Sequence, residues 1–158
     1  MADTISNKMF LKTFSNFLDE TFENVRGIYL DKGTSLFETL DPITPEDASL
    51  QTCSGCASIA AHVKHILFYL EVTDRYMFTT DDFRADWGEV WRTTHAVSST
   101  EWDEIRSKLR SVYSNLRKKM LAITDWNNER AFGGAWALIV HTAYHLGEIR
   151  RAVCDREC

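Results

Sequence analysis

Apolar residues recur at intervals of three and four along four long stretches of the chain, the spacing that places them on one face of a helix. In the first, about Thr4 to Asp31, Phe10, Phe14, Phe17, Val25 and Ile28 repeat at helical spacing, with Leu11, Leu18 and Phe22 beside them. Asp19, Glu20, Glu23 and Arg26 fall on the other side, so the pattern predicts an amphipathic helix with a wide apolar face. Gly27 weakens its last turn by ~1 kcal/mol. The second stretch runs from about Cys56 to Phe78, with Ile59, Val63, Ile66, Leu67 and Leu70 on one face. The third begins near Ser98, where Ser98 and Glu101 have the spacing of a capping box, and continues through Trp102, Ile105, Leu109, Val112, Leu116, Met120 and Ile123. Arg106, Lys108, Arg110, Arg117, Lys118 and Lys119 face away from that stripe and read as a solvated face. The fourth starts after Gly133-Gly134 and runs to about Cys154.

The connections differ in character. Gly33 to Gly55 holds both prolines, and Thr44-Pro45-Glu46-Asp47 predicts one short turn of helix, with Pro at its first position. Thr79 to Thr100 is long for a loop inside a compact domain. Its Trp87 and Trp91 predict that it packs against the body of the protein. With only 7 Gly and 2 Pro and little strand signal, the expectation is an all-α fold. More closely, it is a four-helix bundle forming one domain over 1–158, with a long connection between the second and third helices.

Charge and composition narrow the function classes. The chain carries 18 Lys and Arg against 23 Asp and Glu, a formal net charge of -5. An acidic surface repels phosphate backbones, so nucleic acid is not an expected partner. No apolar run approaches the ~20 residues needed to span a bilayer, so no membrane is expected either. Met1 to Lys12 lacks the pattern of a secretory signal, which leaves the cytoplasm as the expected location. There thiols stay reduced, so Cys53, Cys56, Cys154 and Cys158 are expected as four free thiols, with a local disulfide in oxidised material as the alternative. Cys53-Ser-Gly-Cys56 has no βαβ context that would make it thioredoxin-like. A four-cysteine zinc site would need the start of the second helix beside the end of the fourth.

The histidines carry the chemistry. His141 and His145 stand four apart in the most apolar helix, one turn above each other, where both imidazoles can reach one metal ion. The spacing alone is a weak motif, and two core histidines bonded to ordinary neighbours are the alternative. The second helix adds His62 and His65 among apolar residues, where an unpaired imidazole is costly. By periodicity His62 lies close to the apolar face and His65 at its margin. One of them with His141 and His145 makes three ligands and leaves a fourth position open, the catalytic type of coordination. The di-iron Glu-x-x-His pattern is absent, and Thr142 stands where a metalloprotease would have Glu. Tyr144 and Glu148 are candidates for supporting the ligands or moving protons, with a packed bundle residue and a surface charge as their respective alternatives, and His95 reads as a surface residue.

Two segments, His141-Thr-Ala-Tyr-His145-Leu-Gly-Glu-Ile-Arg and Ser58-Ile-Ala-Ala-His-Val-Lys-His65-Ile-Leu, resemble the DinB-like superfamily (DinB/YfiT type) of metal-dependent four-helix-bundle enzymes. The resemblance covers nearly the whole chain. It implies a divalent ion, Zn or Ni before Mn or Fe, held by one His of the second helix and two of the fourth. In the family the second-helix ligand lies two turns past a helix-start Ser or Thr and is followed by Leu or Ile. That matches His65, where periodicity leans to His62, so the implied set is His65, His141 and His145. The resemblance further implies a small-molecule substrate, with a low-molecular-weight thiol transferred as metal-activated thiolate, and homodimers through an apolar helix face. A hydrolase using metal-bound water and a non-enzymatic helical binding protein with packed histidines are the alternatives.

Overall fold

The structure is a computed structural model that describes residues 6–51 and 53–157. Among these the elements are all helical: α1 (Asn7–Phe22), α2 (Leu36–Leu40), α3 (Pro45–Ser49), α4 (Ile59–Phe78), α5 (Glu89–Thr93), α6 (Ser99–Leu121) and α7 (Glu129–Glu157). Side-chain hydroxyls start most of them. Ser6, Ser35, Thr44, Ser58 and Ser98 each accept a backbone N–H from the first turn of the helix that follows. Full capping boxes form at Ser35–Glu38 and at Ser98–Glu101, the latter as its spacing predicts.

The four long helices form a bundle whose directions follow from which residues meet. Asp19 pairs with Arg117 and Phe22 stacks on Tyr113 (4.2 Å between centroids), so α1 and α6 run antiparallel. Glu71 pairs with Lys108 and Asp74 with Lys119, so α4 and α6 run parallel. His62 meets His145 while the Tyr76 carbonyl accepts from Arg130, so α4 and α7 run antiparallel. Parallel neighbours cannot be joined by a tight turn. The chain leaving α4 must return the length of α6, about 35 Å at 1.5 Å per residue, which is why the stretch from Thr79 to Ser98 is long. The core runs down the middle through Phe14, Leu18, Val63, Ile66, Leu70, Leu109, Leu116, Leu138 and Ile149, each burial stabilising the fold by about 1.5–3 kcal/mol.

Three predicted boundaries move. The first helix does not continue to Asp31 but ends at Phe22; its predicted start at Thr4 lies outside the described residues. The cause is Glu20, which does not face solvent. It is fully buried, and its carboxylate accepts the N–H groups of Arg26 (2.9 Å), Ile28 (2.9 Å), Tyr29 (2.6 Å) and Leu30 (2.7 Å). Those donors would otherwise bond the carbonyls of a continuing helix, and Gly27 in the left-handed region (φ 78°) lets the chain turn back to reach the carboxylate. Asp19, also buried, pairs with Arg26 and Arg117. Second, α4 starts at Ile59 rather than Cys56, because Ser58 caps it. Third, α7 begins at Glu129, before the two glycines, where the Asn128 side chain accepts the N–H groups of Arg130 and Ala131. Gly134 marks a close approach instead of a boundary, since a Cβ there would lie 2.8 Å from Cγ of Met77 on α4.

The basic run of α6 is also more than a solvated face. Arg110 pairs with Asp41, Lys108 with Glu71, Lys119 with Asp74, and Arg117 with buried Asp19, which ties α6 to its neighbours. No helix among the described residues is long and apolar enough to cross a membrane.

Candidate metal centre

α4 and α7 bring four histidines to one level of the bundle. His65 and His145 are 5% exposed, His141 is half-buried, and ligand atoms of these three rings all lie within 4.8 Å of one another. The ring centroids are 4.8 Å apart for His65–His145 and 5.1 Å for His65–His141. The trio can hold a metal ion. Zinc accepts imidazole nitrogen at ~2.0–2.1 Å.

His62 takes a different place. Its Nδ1 is 3.0 Å from Nδ1 of His145, so one ring donates and the other accepts. His62 thus stands behind His145 and fixes how that ring turns, the relation ligand histidines ordinarily have with an outer partner. His65 belongs to the trio although periodicity leans to His62. A residue at the margin of one helix face is central once a second helix packs beside that margin. His95 is exposed, with no hydrogen bond, ion pair or ring contact to the cluster.

The test of fit lies in the hydrogen bonding. Nδ1 of His65 and Nε2 of His141 are buried and have no partner. Burying a polar atom without a partner costs about 1–3 kcal/mol. Thr94, Arg106, Tyr113, Trp126 and Thr142 each carry such an atom too, and what sets the two imidazole nitrogens apart is that their rings belong to a trio with ligand atoms within 4.8 Å of one another. Protonation is not the remedy. Burial, with His65 beside it, pushes His141 down to about 4. Burial, then His141, His65 and His62, pushes His145 down to about 3. Burial also lowers His65 and His62, the latter opposed by Glu148. The rings are therefore neutral at pH 7, each with a lone pair to donate, as a metal ligand must be.

Aromatic side chains wall the cluster. Tyr69 stacks on His141 at 3.7 Å, Trp91 lies 4.5 Å from His65 and 5.9 Å from His145, and Trp87 lies 6.5 Å from His65. Both tryptophans come from the crossover, which does pack against the body as predicted; that they roof the histidines is not readable from periodicity. Two cavities of about 620 Å³ flank the cluster, within the ~300–1,000 Å³ range of small-molecule sites. One is apolar, between Tyr69, Tyr76, Phe83 and Trp87. The other is the more polar of the two and includes His62, His145, Tyr144, Glu148 and Arg151. Tyr144 is 64% exposed and meets His145 edge-on, and Glu148 is exposed without a hydrogen bond or ion pair.

The cysteine expectation is corrected. Cys53 and Cys56 are joined by a disulfide, with Cα atoms 5.1 Å apart, and are not free thiols. The two-residue spacing and the left-handed Gly55 (φ 84°) fold the segment back on itself. Cys154 is free and exposed, and Cys158 lies outside the described residues. The antiparallel α4 and α7 meet the topological condition for a four-cysteine zinc site, but with Cys53 and Cys56 bonded to each other that site is not formed. No protein-family model, curated protein or solved structure matches the chain.

Proposed function

We propose that this chain is a metal-dependent enzyme of the DinB-like four-helix-bundle kind, with His65, His141 and His145 holding a divalent ion, and that it uses a low-molecular-weight thiol. The observation that carries the reading is the pair of buried, unpartnered imidazole nitrogens on His65 and His141, beside the ring of His145. A divalent ion on three neutral imidazoles keeps its full charge and, when bound, lowers the pKa of a thiol or water that joins it. Imidazole ligands suit Zn, Ni and Fe, and suit Mn, which favours oxygen ligands, less well.

The chain's own groups have separate tasks. His62 orients His145 through the Nδ1–Nδ1 hydrogen bond. Trp87, Trp91 and Tyr69 exclude bulk water from one side of the trio. The Glu148 carboxylate, in the polar cavity with His145, accepts the proton that a thiol releases on becoming thiolate. Tyr144, at the same wall, contacts the incoming molecule. The apolar cavity receives the electrophilic partner, held against Tyr69 and Trp87.

Elemental analysis of untagged protein tests the centre, with about one equivalent of divalent metal expected in the parent and none in His141→Ala or His145→Ala. Unchanged metal in both variants overturns it. A conjugation assay with small thiols and an electrophilic dye, beside an ester-hydrolysis assay, separates thiol transfer from hydrolysis. Metal without either activity leaves a binding role. Light scattering reads the dimer that belongs to the same proposal.

A further inference from the structure

Cys53 and Cys56 share the polar cavity with His62, His145 and Glu148. Neither sulfur belongs to the core, Cys53 is exposed, and Cys56 is half-buried. Their disulfide spans only two intervening residues, so it removes little chain entropy and holds no distant parts of the bundle together. A bond with so small a structural return, placed on the wall of a functional cavity just ahead of the 20-residue helix α4, has the setting of an exchanging pair. Glu148 adds a preference. Arg151 of the same cavity pairs with Asp155, which leaves the Glu148 carboxylate without an ion pair and facing the cavity.

We propose that Cys53 and Cys56 are a thiol–disulfide exchange couple that acts on small disulfides and thiols in this cavity, with ammonium-bearing aminothiols as the favoured class. Exposed Cys53 is the entry sulfur. Its thiolate attacks a small disulfide RSSR, the S–S bond of RSSR breaks, a Cys53–SR bond forms and RS⁻ leaves. The Cys56 thiolate then attacks Sγ of Cys53, forms the protein disulfide and expels the second RS⁻. The net change is dithiol plus RSSR to protein disulfide plus two RSH, and an excess of RSH runs it backwards. An ammonium on R pairs with Glu148 as the disulfide approaches. The proposal rests on the cavity and the two sulfurs and requires no metal ion.

The full-length protein, freed of metal with a chelator, is equilibrated at pH 7 with cysteamine–cystamine mixtures, quenched in acid, alkylated and analysed by peptide mass spectrometry. Cys53 and Cys56 are expected to pass together between dithiol and disulfide within the range of mixtures. In Cys56→Ser, cystamine is expected to modify Cys53 about tenfold faster than Cys154, an exposed thiol of the same molecule. Cystamine is expected to outpace neutral 2-hydroxyethyl disulfide at low salt, and Glu148→Gln to remove that advantage. A pair locked in one state across all mixtures, or Cys53 no faster than Cys154, overturns the exchange couple. An equal preference in the parent and Glu148→Gln overturns the substrate class. The equilibrium arm uses the unaltered chain, so a misfolded variant does not blunt the test, and failure here leaves the metal result of the histidine variants standing.

Discussion

Glu20 and the histidine trio are both polar groups set among apolar side chains, one near the C-terminal end of α1 and the other between α4 and α7. The Glu20 carboxylate accepts four backbone N–H groups. In the trio, two ring nitrogens accept and donate nothing. A buried group whose hydrogen bonds are complete explains itself as architecture: it turns the chain after α1 and holds it there. A buried group left incomplete costs stability, and in the trio the incomplete nitrogens stand on rings whose ligand atoms lie within 4.8 Å of one another. The contrast sets a carboxylate with its hydrogen bonds complete against a group of rings that could hold a metal ion.

Removing Glu20 is expected to have the largest effect. Glu20→Ala strands four N–H groups and is expected to destabilise the fold by about 3–5 kcal/mol, read from urea unfolding. Acid acts on the same group. Burial pushes Glu20 up, but the N–H groups of Tyr29, Leu30, Ile28 and Arg26 together outweigh it and hold the carboxyl below its ordinary value of 4.5. The unfolded chain therefore takes up this proton first as pH falls. Glu20's contribution is complete above about pH 4.5 and disappears as pH drops through the lower folded-state value. Stability measured from pH 6 down to 3 should show this loss in the parent and not in Glu20→Gln.

The trio should respond in the opposite manner, to ligand more than to truncation. Zinc at a hundred times its Kd is expected to stabilise the parent by about 2.7 kcal/mol and His141→Ala by nothing, read as a shift in thermal midpoint. His62→Ala comes next. If that ring only orients His145, the ion still binds but its affinity falls about tenfold, worth about 1.4 kcal/mol, by competition with a chelating dye. Smallest of all, His141→Ala without metal is expected to change stability by less than about 1 kcal/mol, since it deletes an unpartnered nitrogen along with some packing. A large loss there would make the trio a structural cluster like Glu20.

Much of this was legible in the chain. The stripes of α4 and α6, the Ser98 capping box and the Thr44-Pro45 start depend on residues close in sequence and appear in the fold with small shifts, while the α1 stripe holds only as far as Phe22. So does the His141–His145 pair, which needs only one helix. What was hidden depends on partners brought in by folding. Glu20 reads as a solvated acid until the chain ten residues on returns to it. Gly134 reads as a break until α4 lies against it. Ser35 and Leu36–Leu40 form a capped helix that no long periodicity announces. The Trp87 and Trp91 placement, and the choice of His65 over His62, are set by which helix sits next to which face, a matter of tertiary packing.

The parallel setting of α4 and α6 has one more consequence. It obliges the chain to make a long return journey, and that journey delivers the two indoles above the histidines while α5 itself buries no residue. The scaffold dictates the length of the span and a few of its residues, Thr94 and Val97 being buried and Val97 part of the core. Trp87 and Trp91 stay partly exposed, so replacing them reshapes the canopy over the histidines and leaves the packed middle of the bundle as it is.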